Sequence, residues 1–288
     1  MPGSAVARGE RASREAGDRP SRTRIRIGQL WIDAVTFDEA LDEIAILVRS
    51  RRGGMVFTPN VDHVMIAETR ADFRDAYERA SLSLADGMPL LWASRLLGTP
   101  LPEKVLGSDL VTPLAALAAK HDWAVYLLGG APGVADTAAA RLNERYGVRI
   151  VGCDAPTITL EGGEAEDRPI VERIRNARPD LVLVAFGAPK QELWMRRVLP
   201  DIQPAVAVGV GASLDFVAGT MRRAPRWVSS LGFEWLYRLG QEPRRLWRRY
   251  LVRDPVFLRI VLGMLRLPRR QRVRVRNSGP HLRFEDIQ

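Results

Sequence analysis

The stretch Trp123-Ala124-Val125-Tyr126-Leu127-Leu128-Gly129-Gly130-Ala131-Pro132-Gly133 decides how the fold is read. An apolar run, Ala124–Leu128, stops at a glycine-rich turn, and a helical pattern over Val134–Tyr146 follows. The same texture recurs downstream without any internal sequence repeat. Arg149–Cys153, Leu181–Phe186 and Ala205–Val210 are further β-rich runs, and Glu164–Asn176 and Gln191–Val198 are the helical segments between them. Strands alternating with helices at this spacing make right-handed βαβ crossovers and a parallel sheet buried on both faces. The expected class is α/β: a Rossmann-like parallel sheet flanked by helices.

Upstream, two short runs, Met55–Phe57 and Leu82–Ala85, read as buried strands. Each ends in polar turn chemistry, Thr58-Pro59-Asn60 after the first and Asp86-Gly87 after the second. Ligands of open α/β sheets sit outside the carboxyl ends of strands. A hydroxyl, an amide and a carboxylate are therefore expected on one rim. Asp-Gly is also ordinary turn chemistry. What raises Asp86 above a turn residue is the apolar helix that starts at Met88-Pro89, since a carboxylate beside buried groups at a helix start suits base work.

The remaining N-terminal region is α/β as well. Ile25–Val35 reads as a strand pair anchored by Trp31 and Ile32, and Thr36-Phe37-Asp38-Glu39 is a capping box. The helix it opens carries Phe37, Leu41, Ile44 and Val48 on one face. Helical material follows from Val61 to Ala80, and Ser108-Asp109 reads as the cap of a helix to Lys120.

Three strand ends carry glycine turns: Gly129-Gly130-Ala131-Pro132-Gly133, Gly187-Ala188-Pro189-Lys190-Gln191 and Gly209-Val210-Gly211-Ala212-Ser213. Glycine lets a phosphate approach backbone N–H groups, and a following helix N-terminus favours the anion. Together they point to a nucleotide. None is a dinucleotide fingerprint or a P-loop, which disfavours a dehydrogenase or a P-loop ATPase.

Among 288 residues, 46% are hydrophobic and 27% charged, as in a globular protein with a large core. The lone Cys153 cannot form an internal disulfide. His63, His121 and His281 are scattered, no Cys/His cluster has zinc spacing, and no Asp-x-Asp pair occurs. Neither a metal site nor a cofactor is expected. Met1 to Arg24 reads as a disordered tail with no secretory signal, and no apolar run reaches membrane-spanning length.

Charge is concentrated at the other end. From Arg222 to Arg276 sixteen arginines face only Glu234, Glu242 and Asp254, a net +13 in a chain of +9, so the rest is mildly acidic. Trp227, Leu231, Trp235, Leu236 and Leu239 have helical spacing, then Leu246, Trp247, Tyr250 and Leu251 after Pro243, then Val256–Leu267. Arginine interleaved with Trp, Tyr and Leu describes helices that lie on an anionic membrane surface, or a packed helix pair with a solvated charged face. The divisions expected are a tail over residues 1–24, an α/β core over 25–221, a basic helical appendage over 222–268 and a second tail over 269–288. Truncation near Gly219 is expected to leave a folded core.

These motifs together resemble the WecG/TagA/CpsF glycosyltransferases. The resemblance rests on Thr58-Pro59-Asn60, Ala85-Asp86-Gly87, Pro102-Glu103-Lys104-Val105 with Gly107-Ser108-Asp109, Gly187–Glu192, Gly209–Phe216, Arg223-Ala224-Pro225, and Gly232–Leu239 with Glu242-Pro243. It implies an inverting, metal-independent transfer of a hexose-type sugar from a UDP donor. The implied acceptor is a polyprenyl-diphosphate-linked sugar at the cytoplasmic membrane face. By the resemblance Asp86 is the general base, and Thr58, Asn60 and Gln191 line its pocket. The donor falls to the glycine rim (Gly129, Gly130, Gly187 and Gly211) with Lys190 and Asp215. Arg238, Arg245 and Arg248 match arginines of an appendage that closes over the diphosphate. Many members have Pro-Asp-Gly where this chain has Ala85-Asp86-Gly87, so the donor sugar stays open among N-acetylmannosamine, its uronic acid and glucose. Two alternatives remain from residues alone, a basic nucleic-acid-binding protein and a soluble sugar-nucleotide-modifying enzyme.

Overall fold

A computed structural model of the chain describes residues 22–221 and 254–276. It opens on an antiparallel hairpin, β1 (Arg22–Ile27) and β2 (Leu30–Asp33). Ile32 is buried as expected, whereas Trp31 is only half-buried and Leu30 takes the inner position beside Ile27. Next come β3 (Gly54–Phe57), β4 (Leu82–Ser83), β5 (Val125–Gly129), β6 (Ile150–Asp154), β7 (Leu181–Ala185) and β8 (Val206–Gly209). These six form one parallel sheet in the order β4-β3-β8-β7-β5-β6.

Successive strand residues point to opposite faces, and both faces are covered. Val56, Val125, Leu183 and Val208 enter a core built with α1 (Phe37–Ser50), α5 (Gly107–Lys120), α6 (Val134–Tyr146) and α9 (Ser213–Ala218). Phe57, Tyr126, Val184 and Ala207 enter the other, with α2 (Val61–Thr69), α3 (Ala71–Glu78), α4 (Met88–Leu96), α7 (Glu164–Ala177) and α8 (Lys190–Ile202). The expected α/β class therefore holds. Adjacent strands β3 and β8 send α2 and α9 to opposite faces, and that divergence opens a crevice outside their carboxyl ends.

Local signals fared unevenly. The Thr36/Glu39 capping box is present, with both reciprocal hydrogen bonds made. The helical stretch after β3 breaks at Arg70 into α2 and α3. Ser108 and Asp109 do not cap α5. The helix begins at Gly107, Leu106 is its N-cap, and both polar residues lie inside the first turn.

The C-terminal segment returns to the start of the chain. Helix α10 (Asp254–Met264) buries Phe257, Val261 and Met264 in the same core as α2, and the Gly28 N–H donates to Met264 Sδ at 2.9 Å. A 3-10 turn (Arg269–Gln271) leads to β9 (Val273–Arg276), which pairs antiparallel with β1 to give the order β2-β1-β9. The stretch read as a tail from residue 269 thus supplies a strand, and the N-terminal tail ends sooner than Arg24, since β1 begins at Arg22. Truncation near Gly219 would strip β9 from β1 and three side chains from the core, so the expectation of an intact remainder is corrected. Trp227, Trp235, Trp247, Arg238, Arg245 and Arg248, singled out from the sequence, lie outside the described residues.

Candidate active site

Beyond the last residues of β3 and β4 the two chains continue side by side. The Leu84 N–H donates to the Phe57 carbonyl and the Asp86 N–H to the Pro59 carbonyl, both at 2.8 Å. This extension carries Thr58, Asn60 and Asp86 to one rim. Asp86 is half-buried, and its Oδ2 accepts from the Gly107 N–H at 3.4 Å. The carboxylate thus sits between the start of α4 and the start of α5, where helix dipoles favour negative charge. Gly87, at φ +116°, makes the turn into α4.

Thr58 is buried, and its hydroxyl donates to the Gly209 carbonyl at 3.2 Å. Gln191, buried in the first turn of α8, donates through Nε2 to Glu192 Oε1 at 2.6 Å and accepts through Oε1 from the Gly211 N–H at 3.2 Å. Asn60 is the N-cap of α2. Its Oδ1 accepts from the Asp62 N–H at 3.0 Å, which turns the amide nitrogen away from the helix. His63 lies against it, with Nδ1 3.2 Å from the Asn60 backbone nitrogen and Nε2 3.3 Å from Glu192 Oε1. The four residues singled out from sequence therefore stand on one ring of contacts, from Asp86 through Gly107, Thr58, Gly209, Gln191, Glu192 and His63 to Asn60.

Two members of that ring go beyond the expected site residues: Glu192 adjoins Gln191 in sequence, and His63, just past the Thr58-Pro59-Asn60 turn, reads from sequence as a surface or helix-packing histidine. Beneath them lies the fully buried Tyr77, whose phenol is pushed well above its ordinary pKa by burial, then by the carboxylates of Glu192 and Asp86.

The glycine rim behaves less uniformly than its sequence suggested. The Gly130 N–H donates to the Ala185 carbonyl, and the Gly211 N–H is taken by Gln191. Gly129 lies at φ +107°, and a Cβ there would sit 2.7 Å from the Ala185 carbonyl, so close packing on β7 accounts for it. Gly187, at φ +74°, has open space on its Cβ side. Lys190 Nζ donates to the Ile158 carbonyl at 2.8 Å, and Asp215 Oδ1 accepts from the Thr220 hydroxyl at 3.2 Å. Among the described residues no three His, Cys, Asp or Glu side chains gather to hold a metal ion, and no helix is long and apolar enough to cross a membrane.

Fold and rim together define an open α/β protein with a polar cluster at its strand ends. Residues 25–272 match the glycosyl transferase WecG/TagA/CpsF family. The chain belongs to that family, and it is a glycosyltransferase of cell-surface polysaccharide biosynthesis, a class that works between a sugar-nucleotide donor and a lipid-linked acceptor. The nucleic-acid-binding and sugar-nucleotide-modifying alternatives give way to it.

Proposed function

We propose that this enzyme carries out an inverting, metal-independent transfer of a hexose-type sugar from a UDP donor to a polyprenyl-diphosphate-linked sugar. The sugar is N-acetylmannosamine, its uronic acid or glucose, and the product feeds a cell-surface polysaccharide or exopolysaccharide. The observation that carries the reading is the Asp86 carboxylate on the rim beside Thr58, Asn60 and Gln191, at the crevice between β3 and β8.

Inversion is a single displacement, in which Asp86 takes the proton of the acceptor hydroxyl as that oxygen attacks the anomeric carbon and UDP departs. Asn60, its amide nitrogen turned outward, is a donor for a substrate oxygen. The UDP donor lies along Gly129, Gly130, Gly187 and Gly211 with Lys190 and Asp215. Gly130 and Gly211 contribute there by leaving room, since their N–H groups are engaged. Arg238, Arg245 and Arg248, from a basic appendage over residues 222–268, stabilise the charge on the departing diphosphate through bidentate hydrogen bonds. The same basic segment holds the enzyme on the anionic inner face of the cytoplasmic membrane.

The test is UDP release by purified enzyme with a panel of UDP-sugars and a short polyprenyl-diphosphate-sugar acceptor. Asp86→Asn is expected to lower turnover by ~10²–10⁴-fold while UDP still binds. A variant with wild-type turnover would reduce Asp86 to a turn residue and defeat the proposal.

A further inference from the structure

The ring of contacts behind the rim contains a fully buried carboxylate that the proposed reaction does not use. Glu192 has no exposed surface, and its Oε1 meets two donors, Gln191 Nε2 at 2.6 Å and His63 Nε2 at 3.3 Å. Its Oε2 and the Tyr77 hydroxyl have no hydrogen-bond partner among the described residues. A buried carboxylate incompletely satisfied is unfavourable for folding alone, and groups of that kind concentrate where they organise a site.

The chemistry of each partner fixes an orientation. A carboxylate only accepts, so the Gln191 amide must present its NH₂ to Glu192 and its oxygen to the Gly211 N–H. The Gly211 N–H, which only donates, demands the same orientation, and Glu192 holds the nitrogen end of the amide. On the other arm, the Asn60 backbone N–H only donates, so in the neutral ring Nδ1 accepts it and the proton sits on Nε2, aimed at Glu192. When the ring carries both protons, Nδ1–H is instead 2.9 Å from Asn60 Oδ1, and Nε2–H still faces Glu192. Doubly protonated, the ring joins the Asp62 N–H in holding the Asn60 oxygen on the α2 side; neutral, it accepts from the Asn60 backbone N–H, and the Asp62 N–H alone keeps the oxygen there and the NH₂ on the rim. Phe73 and Tyr77, with ring centroids 5.9 and 6.3 Å away, hold the imidazole in place.

We infer that Glu192 and His63 are positioning residues that hold the two rim amides in the sense set by their backbone partners, Gln191 directly and Asn60 through the imidazole. The inference rests on the proposed active site. One carboxylate thereby couples the β3 side of the crevice to the α8 side, so that both amides are aligned or misaligned together. Such residues act on the reacting geometry without touching substrate, and a displacement of about 1 Å in a site costs ~10²-fold in rate.

The experiment uses the full-length enzyme and the near-isosteric variants Glu192→Gln and His63→Gln, with the double variant. In the single variants kcat should fall by ~10²-fold, with the donor KM and the thermal unfolding midpoint close to wild type. The double variant should be no slower than the slower single, because both changes release the same pair of amides. Losses that multiply, or a folded single variant with wild-type kcat, would overturn the inference. If Glu192→Gln fails to fold, His63→Gln decides by the same two readings. A second readout needs no substrate. The Gln191 side-chain amide proton bonded to Glu192 should lie downfield and exchange slowly in the NMR spectrum, and lose both properties in Glu192→Gln. An unchanged amide signal counts against the inference. Should the wild-type enzyme release UDP from no donor tested, it is the proposed reaction that fails, and the amide signal alone then decides the roles of Glu192 and His63.

Discussion

The Thr58 hydroxyl donates to the Gly209 carbonyl at 3.2 Å, and this bond joins the ends of β3 and β8 where the sheet hydrogen bonds stop. The two strands diverge into helices on opposite faces just beyond it. A short side chain therefore spans the mouth of the crevice, and its placement depends on a neighbour with no side chain at all. A Cβ on Gly107 would lie 2.9 Å from Thr58 Oγ1.

Gly107→Ala should consequently disturb the site more than the fold. Gly107 is helical, so alanine brings no backbone strain and the effect is steric. The hydroxyl must leave Gly209 or α5 must shift. Loss of that bond corresponds to about 1 kcal/mol of stability, while a displaced rim corresponds to a rate loss of up to ~10²-fold. Thermal unfolding and steady-state turnover on one preparation separate the two. Unchanged turnover would mean that Thr58 is not held by this contact.

Much of this arrangement was readable from the sequence, for identifiable reasons. The runs around Val125, Leu183 and Val208 are buried on both faces, so continuous hydrophobicity marks them, and glycine turns mark their ends. Thr58, Asn60 and Asp86 are legible as one rim because polar residues that end adjacent buried strands come out at the same edge of the sheet. Strand β9 was missed because Val273-Arg274-Val275-Arg276 reads as a basic tail, and its pairing sets Arg276 against Arg22 and Arg274 against Arg24. Like charges opposite one another are unfavourable. Only the fold reveals that Glu43, Asp33 and Glu78 answer them, at 3.1, 3.6 and 3.7 Å. The contact between His63 and Glu192 was hidden for a similar reason. Their meeting joins positions far apart in the chain, and no local pattern encodes it.

Metal removal gives a second check. The sequence has no Asp-x-Asp pair, and among the described residues no cluster of candidate ligands forms. Transfer should persist in EDTA at its untreated rate. Complete loss, restored by Mg²⁺ or Mn²⁺, would require a metal-assisted departure of UDP in place of the arginines.

Cys153 supplies a pH-dependent test. Burial, then the nearby carboxylates of Asp136 and Asp154, push its thiol up to about 11. A raised thiol pKa keeps the unreactive protonated form at neutral pH, and reactivity appears only as pH rises toward that value. Against an ordinary thiol near 9, alkylation by iodoacetamide at pH 8 should be slower by ~10²-fold. Rapid modification that inactivates the enzyme would instead make Cys153 a thiol of the active site.

The last prediction concerns the two faces of α10, which are both apolar but differ in what they meet. Phe257, Val261 and Met264 point into the core shared with α2. Leu258 and Leu262 point outward, 52% and 49% exposed, with Val256 and Leu265 beside them and Arg259, Arg266, Arg269 and Arg270 along the same segment. Exposed leucines set among arginines suit an anionic bilayer, where apolar insertion and headgroup attraction add, the latter by about 1 kcal/mol per basic residue. Phe257→Ala should therefore lower stability by about 3–5 kcal/mol. Leu258→Glu with Leu262→Glu should leave the unfolding midpoint near wild type. The same pair should weaken co-sedimentation with phosphatidylglycerol vesicles by at least an order of magnitude, since each buried leucine contributes about 1.5–3 kcal/mol. Binding to pure phosphatidylcholine vesicles should be weak for wild type and variant alike, because the electrostatic part is missing. Undiminished binding of the double glutamate variant to the anionic vesicles would remove α10 from the membrane-facing surface and leave that task to the residues between 222 and 253.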